Sequence, residues 1–236
     1  MPNIHPPTSN LLKTYAIIVA GGSGSRMQSA LPKQFMLLCG TPVLMHTLSA
    51  FKNSASSPYI ILVLHASYHQ LWKQLCTEHN FTIAHTLISG GETRFHSVKN
   101  AIDQITDKDV LIAVHDAVRP MVTATIIDEA YQCAAQHGSA VAAVKSRDSV
   151  RQVSEDTSVS LNREGIYLVQ TPQTFQSALL INAYKQPYNQ HFTDDASVVE
   201  QSGVKITLIE SSYSNIKITF PDDIIIAEAL INKKGL

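Results

Sequence analysis

A chain of 236 residues, 44% hydrophobic and 16% charged, is long enough to bury a full core, and this length commonly makes one large domain. Its longest apolar stretches, such as Tyr59 to Leu64 and Ile224 to Ala227, fall well short of the ~20 residues needed to cross a bilayer, so no membrane span is expected. A net charge of −1, with no basic and aromatic-studded stripe, argues against nucleic acid as a partner.

Residues 1–13 have neither the basic start nor the apolar stretch of a secretory signal and read as a disordered tail, leaving one domain over 14–236. Tyr15 to Ala20 is a short β-branched run that stops at Gly21-Gly22 and predicts a strand buried on both faces. Thr41-Pro42 offers an N-cap and a first-turn proline, after which Leu44, Leu48 and Phe51 recur at helical spacing. Strands of the first kind return at Tyr59 to His65 and Asp109 to His115. Helical patterns run through Ser67 to His79, Thr93 to Ile105, Thr123 to His137 (closed by Gly138), Phe175 to Tyr184 and Pro221 to Lys234. The alternation predicts a single-domain, Rossmann-like α/β fold with a mostly parallel sheet and helices on both faces. One segment departs from it. Residues 146–164 are polar and alternating around Glu155-Asp156, which predicts a protruding β-ribbon arm, marginal unless it packs on a partner subunit.

Charge is unevenly placed: no Asp or Glu precedes Glu78, whereas Lys13, Arg26, Lys33, Lys52 and Lys73 all do, a bias that suits a polyanionic ligand. Three scattered cysteines build neither a disulfide framework nor a zinc site and point to a reducing cytoplasm. His65 and His69 stand four apart without the Glu of a zinc-protease motif.

Ligands of such sheets bind beyond the carboxyl ends of the strands, so the residues following each strand matter most. After the first comes AGGSGSRM, where glycines let backbone N–H groups cradle phosphate oxygens while Arg26 and Lys33 add charge at the same mouth. It lacks the Gly-Lys-Ser/Thr of a Walker loop. Met27 stands where a dinucleotide fingerprint needs glycine, and the ribose-binding acid of that fingerprint is missing. After the third strand comes HDAVRP, in which Asp116 could hold Mg²⁺ or a ribose hydroxyl and Arg119 a phosphate, or the two could simply pair across a turn. GGETRFHS at 90–97 could equally be a plain helix cap, and the acids of TDDAS at 193–197 read first as a favourable cap and helix-dipole charge. Lys217 sits in a strand-like NIKI run.

Taken in order, AGGSGSRM with PKQF, GGETRFHSV, VHDAVRP, TPQTF at 171–175, TDDAS and NIKIT resemble the 2-C-methyl-D-erythritol 4-phosphate cytidylyltransferases of non-mevalonate isoprenoid synthesis, from about Ala16 to Ile231. The resemblance implies a magnesium-dependent (or other divalent-cation) enzyme that joins CTP to a sugar-alcohol phosphate and releases pyrophosphate. It implies catalytic roles for Arg26, Lys33, Arg163 and Lys217, and nucleotide binding by Ala20, Gly21, Gly22, Ser23, Gly24, Gly91, Glu92, Arg94, Ser97 and Ala117. Asp116, Arg119, Thr171 and Thr193 would bind the second substrate, Asp116 also taking the metal. Arg163 and Thr193 can reach the neighbouring subunit's site in that family, and the 146–164 arm would clasp that neighbour in a homodimer. Asn162 stands before Arg163 where the family commonly has Asp. Ribitol-5-phosphate cytidylyltransferases share the glycine loop, HDAVRP and TPQ-F, while TDDAS favours the methylerythritol branch. A non-catalytic CTP-sensing module is the reading from another class.

Overall fold

The computed structural model describes residues 12–20 and 31–234. The first apolar run forms β1 (Thr14–Ala20), and the chain re-enters through a short hairpin of β2 (Leu37–Leu38) and β3 (Thr41–Pro42). Thr41 therefore belongs to a strand pair and caps nothing: Pro42 occupies the cap position of α1 (Val43–Lys52), with no side-chain cap bond. There follow β4 (Tyr59–Leu64), α2 (His69–Glu78), β5 (Thr86–Ser89), α3 (Arg94–Ile102), β6 (Leu111–Asp116) and α4 (Ala124–His137). α4 ends at Gly138, whose φ of +88° suits glycine alone, and the chain turns directly into β7 (Ser139–Lys145).

The ribbon is present as β8 (Val150–Ser154) and β9 (Thr157–Leu161), paired from Val150↔Leu161 to Ser154↔Thr157 around Glu155-Asp156. Next come β10 (Tyr167–Gln176), α5 (Ser177–Ala183), α6 (Asp195–Gln201), β11 (Leu208–Glu210) and α7 (Asp222–Lys234). Phe175, expected to open a helix, instead lies wholly buried in β10. The run around Lys217 forms no strand, and is tied to the domain where the Ile218 N–H donates to the Val118 carbonyl at 2.9 Å.

The seven-stranded sheet has the order β11-β7-β10-β6-β1-β4-β5, all parallel except β10, which runs against both its neighbours. Alternation along the strands sends side chains to two separate cores. Ala16, Ile18, Leu62 and Ala113 pack with α1, α2 and α4, while Ile17, Val63, Ile112 and Val114 pack with α3, α5 and α6. Each fully buried Val, Leu or Ile among them contributes about 1.5–3 kcal/mol. The chain leaves β1 for β4 on one side and later crosses back to place β6 on the other, so a crevice opens between the carboxyl ends of β1 and β6.

Candidate active site

Asp116 is the last residue of β6, held beside β1 where the Ala117 N–H donates to the Val19 carbonyl at 3.0 Å. Its own N–H donates to Thr171 Oγ1 at 3.1 Å. β10 can supply that hydroxyl because it runs antiparallel: its amino-terminal half lies along the carboxyl edge, and a register shift between Val169 and Gln173 places Thr171 there. Three cations converge on the Asp116 carboxylate. Lys217 Nζ lies 2.9 Å and Arg119 Nε 3.4 Å from Oδ2, while Arg94 Nε stands 3.7 Å from Oδ1.

Burial alone would raise the Asp116 pKa, but Arg94, Lys217 and Arg119 outweigh it and hold the carboxyl well below the usual carboxylate range. It is ionised at every pH near neutrality. Burial lowers the pKa of Arg119, and Asp116 opposes that shift. Arg119 Nη1 also donates to the Asn215 carbonyl at 2.8 Å. Asn215, wholly buried, gives its amide to Gln170 Oε1 and to the Thr171 carbonyl, both at 2.9 Å, and so locks the Lys217 segment against β10. Beneath them His115 is fully buried, edge-on to Phe51 with ring centroids 4.9 Å apart. Its Nε2 meets the Arg119 carbonyl at 3.1 Å, which requires the proton on that nitrogen. Burial depresses its pKa to about 4, so the ring is neutral.

The crevice has two lobes sharing Arg94, Asp116 and Lys217. One, of about 220 Å³, is walled also by Ala20, Lys33, Glu92 and Ser97; the other, of about 270 Å³, by Arg119, Thr171 and Thr193. The α3 loop is shaped by Thr93, whose hydroxyl caps the helix through the His96 N–H, and by Ser97, whose Oγ accepts from the Gly91 N–H at 3.0 Å. Gly91 is obligatory, since an added Cβ would sit 2.5 Å from the Cβ of His96.

Of the other residues singled out in the sequence, Ala117 lies fully buried behind the lobes, its carbonyl accepting from Thr47 Oγ1 at 2.7 Å. Arg163 lies at the foot of the ribbon, exposed and donating to the Arg147 carbonyl at 2.8 Å, and walls neither lobe of its own subunit. Gly21, Gly22, Ser23, Gly24 and Arg26 lie outside the described residues. Sequence reasoning passed over Gln34, which donates to the Ala20 carbonyl at 3.2 Å and lines the first lobe. It also passed over Gln173. That amide spans Asp194 Oδ2 and the Ala196 N–H, both at 2.8 Å, fixing the start of α6. The TPQ spelling before an acidic helix start was the available signal.

A divalent cation fits here in a limited way. Among the described residues no three acidic, His or Cys side chains gather, so an ion would draw most ligands from phosphate oxygens and water. Asp116 Oδ1, beyond hydrogen-bond range of Arg94, is a protein oxygen that could take part.

The family model of 2-C-methyl-D-erythritol 4-phosphate cytidylyltransferase matches residues 14–233. The chain belongs to that family. The enzyme of that name from Azobacteroides pseudotrichonymphae is 48% identical over 219 residues, covering 92% of this chain and 98% of its own. Its counterpart from Bacteroides thetaiotaomicron is 47% identical over 220 residues, covering 93% and 100%. Among solved structures, 4-diphosphocytidyl-2C-methyl-D-erythritol synthase from Anaerococcus prevotii superposes with a TM-score of 0.81 at 27% identity, covering 94% of this chain and 97% of that one. As a family member the chain is a nucleotidyltransferase of isoprenoid precursor synthesis, and no helix among its described residues is long and apolar enough to cross a membrane.

Proposed function

We propose that the chain transfers CMP from CTP to 2-C-methyl-D-erythritol 4-phosphate, with the triphosphate in the lobe between β1 and α3 and the acceptor phosphate in the lobe beside β10. The observation that carries this reading is a single ionised carboxylate, Asp116, shared by two adjoining lobes and ringed by Arg94, Arg119 and Lys217. Two anions must be brought together there, and cations fixed in advance lower the cost of doing so.

A phosphate monoester has a second pKa of about 6, so the acceptor arrives ionised and needs no general base. One of its oxygens attacks the α-phosphorus in line, the bond from that phosphorus to the bridging oxygen breaks, and pyrophosphate leaves with the electron pair. Lys33 and Arg26 offset charge on the triphosphate, and Ala20, Gly21, Gly22, Ser23 and Gly24 bind the nucleotide. Gly91, Glu92, Arg94 and Ser97 border the base and ribose, and Ala117 supports them from behind. Lys217, Arg119, Thr171 and Thr193 orient the acceptor, while Asp116 holds Lys217 in place. Mg²⁺, bound by Asp116 and the triphosphate, would supply further charge neutralisation at the phosphates.

Residues 14–236 form the catalytic domain in this reading, and the 146–164 ribbon clasps a second copy, carrying Arg163 to the neighbour's acceptor lobe. The test is pyrophosphate release with CTP and Mg²⁺, offering methylerythritol phosphate and ribitol 5-phosphate in parallel. Preference for the first is expected. Preference for ribitol phosphate would transfer the same chemistry to the other branch, and CTP binding without turnover on either acceptor would leave a nucleotide sensor.

A further inference from the structure

Asp195 is the second acid of TDDAS, and the cap explains only the first. Asp194 is the N-cap of α6, accepting from the Ser197 N–H at 2.9 Å in a complete capping box. Asp195 points inward instead and is wholly buried, forming no part of either lobe's wall. Its Oδ2 accepts from Arg94 Nη2 at 2.6 Å, and its Oδ1 from the Tyr184 hydroxyl at 2.7 Å. Both partners are themselves fixed. Tyr184 is stacked on Phe95 with centroids 4.7 Å apart and 18° between the rings, and Phe95 follows Arg94 in α3. Burial, followed by the charge of Asp195, pushes the Tyr184 phenol well above its usual range, so its hydroxyl remains a donor.

A carboxylate taken wholly out of water is costly unless it is paired and hydrogen-bonded, as this one is. A plain tie between α3 and α6 would use up the guanidinium it holds. Arg94 is not used up: its side chain keeps 29% exposure, its Nε faces Asp116, and it walls both lobes.

We infer that Asp195 is a positioning residue which, braced by Tyr184, holds the Arg94 guanidinium between the two lobes so that Asp116 remains available to Lys217. Without the Asp195 charge, Arg94 swings onto Asp116, the strongest remaining anion within reach, and competes there with Lys217. The nucleotide keeps its other contacts and still binds, less tightly. What degrades is the alignment of acceptor against α-phosphate, because the group between the lobes no longer stays where it was.

This inference rests on the reaction proposed above, and its experiment separates the two. Asp195→Asn is nearly isosteric, and its amide can still accept from Arg94 and bond the tyrosine hydroxyl. With CTP and methylerythritol phosphate, kcat is expected to fall roughly 10- to 100-fold, the scale of a misplaced reactant, and KM for CTP to rise by a smaller factor because Arg94 also borders the nucleotide. In a cycle with Arg94→Ala the second substitution should add almost nothing, since both remove one device. The Arg94 Nε–H resonance, followed by nitrogen-15 NMR, should broaden and exchange faster in Asp195→Asn. An unaltered kcat, a loss confined to KM, additive losses in the cycle, or an unmoved Arg94 resonance would each overturn the inference. Should Asp195→Asn fail to fold, Tyr184→Phe removes only the brace and should give a smaller change of the same kind, and its absence would count equally against it. If the wild-type protein turns over neither acceptor, the reaction falls, while the resonance still decides whether Asp195 fixes Arg94.

Discussion

The carboxyl edge of the sheet and the β8–β9 ribbon are both rich in polar residues, yet one is sealed and the other bare. At the sheet edge Asp116, Arg119, Asp195 and Asn215 are all buried, and each is bonded to residues distant in sequence. In the ribbon every residue from 151 to 160 is exposed, Val153 at 71% and Val159 at 58%, and the described bonds run within the hairpin. The charged groups Asp116, Arg119 and Asp195 of the edge are desolvated and can remain so only while paired, which holds its polar groups in place. Those of the ribbon can exchange partners with water at little cost. Preorganised charge belongs to the first region, and adaptable contact to the second.

Removing the centre of the edge should show this most strongly. Asp116→Ala leaves Arg119 buried without its counter-charge, and we expect a loss of about 3 kcal/mol in urea unfolding together with a fall in turnover of about 1,000-fold. A stability loss below about 1 kcal/mol would mean that the cations relax into water and that the edge is not sealed. Lys33→Ala, at the mouth of the first lobe, should reduce turnover roughly 10²–10³-fold while leaving the unfolding midpoint nearly unchanged. Normal turnover in that folded variant would remove Lys33 from the mechanism.

The buried histidine sharpens the comparison through pH. Folded His115 takes up a proton only near pH 4, whereas an unfolded histidine does so near 6.5. Between those values the unfolded chain binds more protons, so stability falls as pH is lowered, by about 3 kcal/mol at the bottom of the window, and levels off below it. Unfolding midpoints from pH 7 to 4 should show that slope, and His115→Phe should flatten it. An equal slope in the variant would place the effect elsewhere. The smallest effect on the fold is expected in the ribbon: Val153→Asp with Val159→Asp should change stability by under about 0.5 kcal/mol. If the ribbon clasps a second copy, the same pair should shift sedimentation at micromolar concentration from dimer to monomer, and an unchanged sedimentation would remove it from the interface.

What could be read from the sequence follows the same division. β1, β4 and β6 announce themselves as apolar runs because they are covered on both faces, and the motifs at their ends were legible as loops that follow strands. β10 was not legible. Pro172 interrupts it, proline is rarely found inside a central strand, and here it falls within the register shift between Val169 and Gln173. β7 is rich in alanine and carries little β-branched signal. The Arg94–Asp195 pair joins residues 101 apart and leaves no local trace. An acid at a helix start satisfied a simpler explanation, which is true of its neighbour Asp194. Arg163 stood out only through the family resemblance, and nothing around it in its own subunit marks a site.

The reversed direction of β10 has one more consequence. Because it pairs antiparallel with β7, with Tyr167 opposite Lys145, the chain leaves and re-enters the sheet at one place, and everything between them is the interior of a single hairpin. Such an excursion is modular. The entropy of closing a loop grows only by about 0.6 kcal/mol per doubling of its length, so lineages could lengthen, trim or restyle this arm while the sheet and its carboxyl edge stayed as they are. The reach of the arm and the chemistry of the crevice are therefore free to evolve at different speeds.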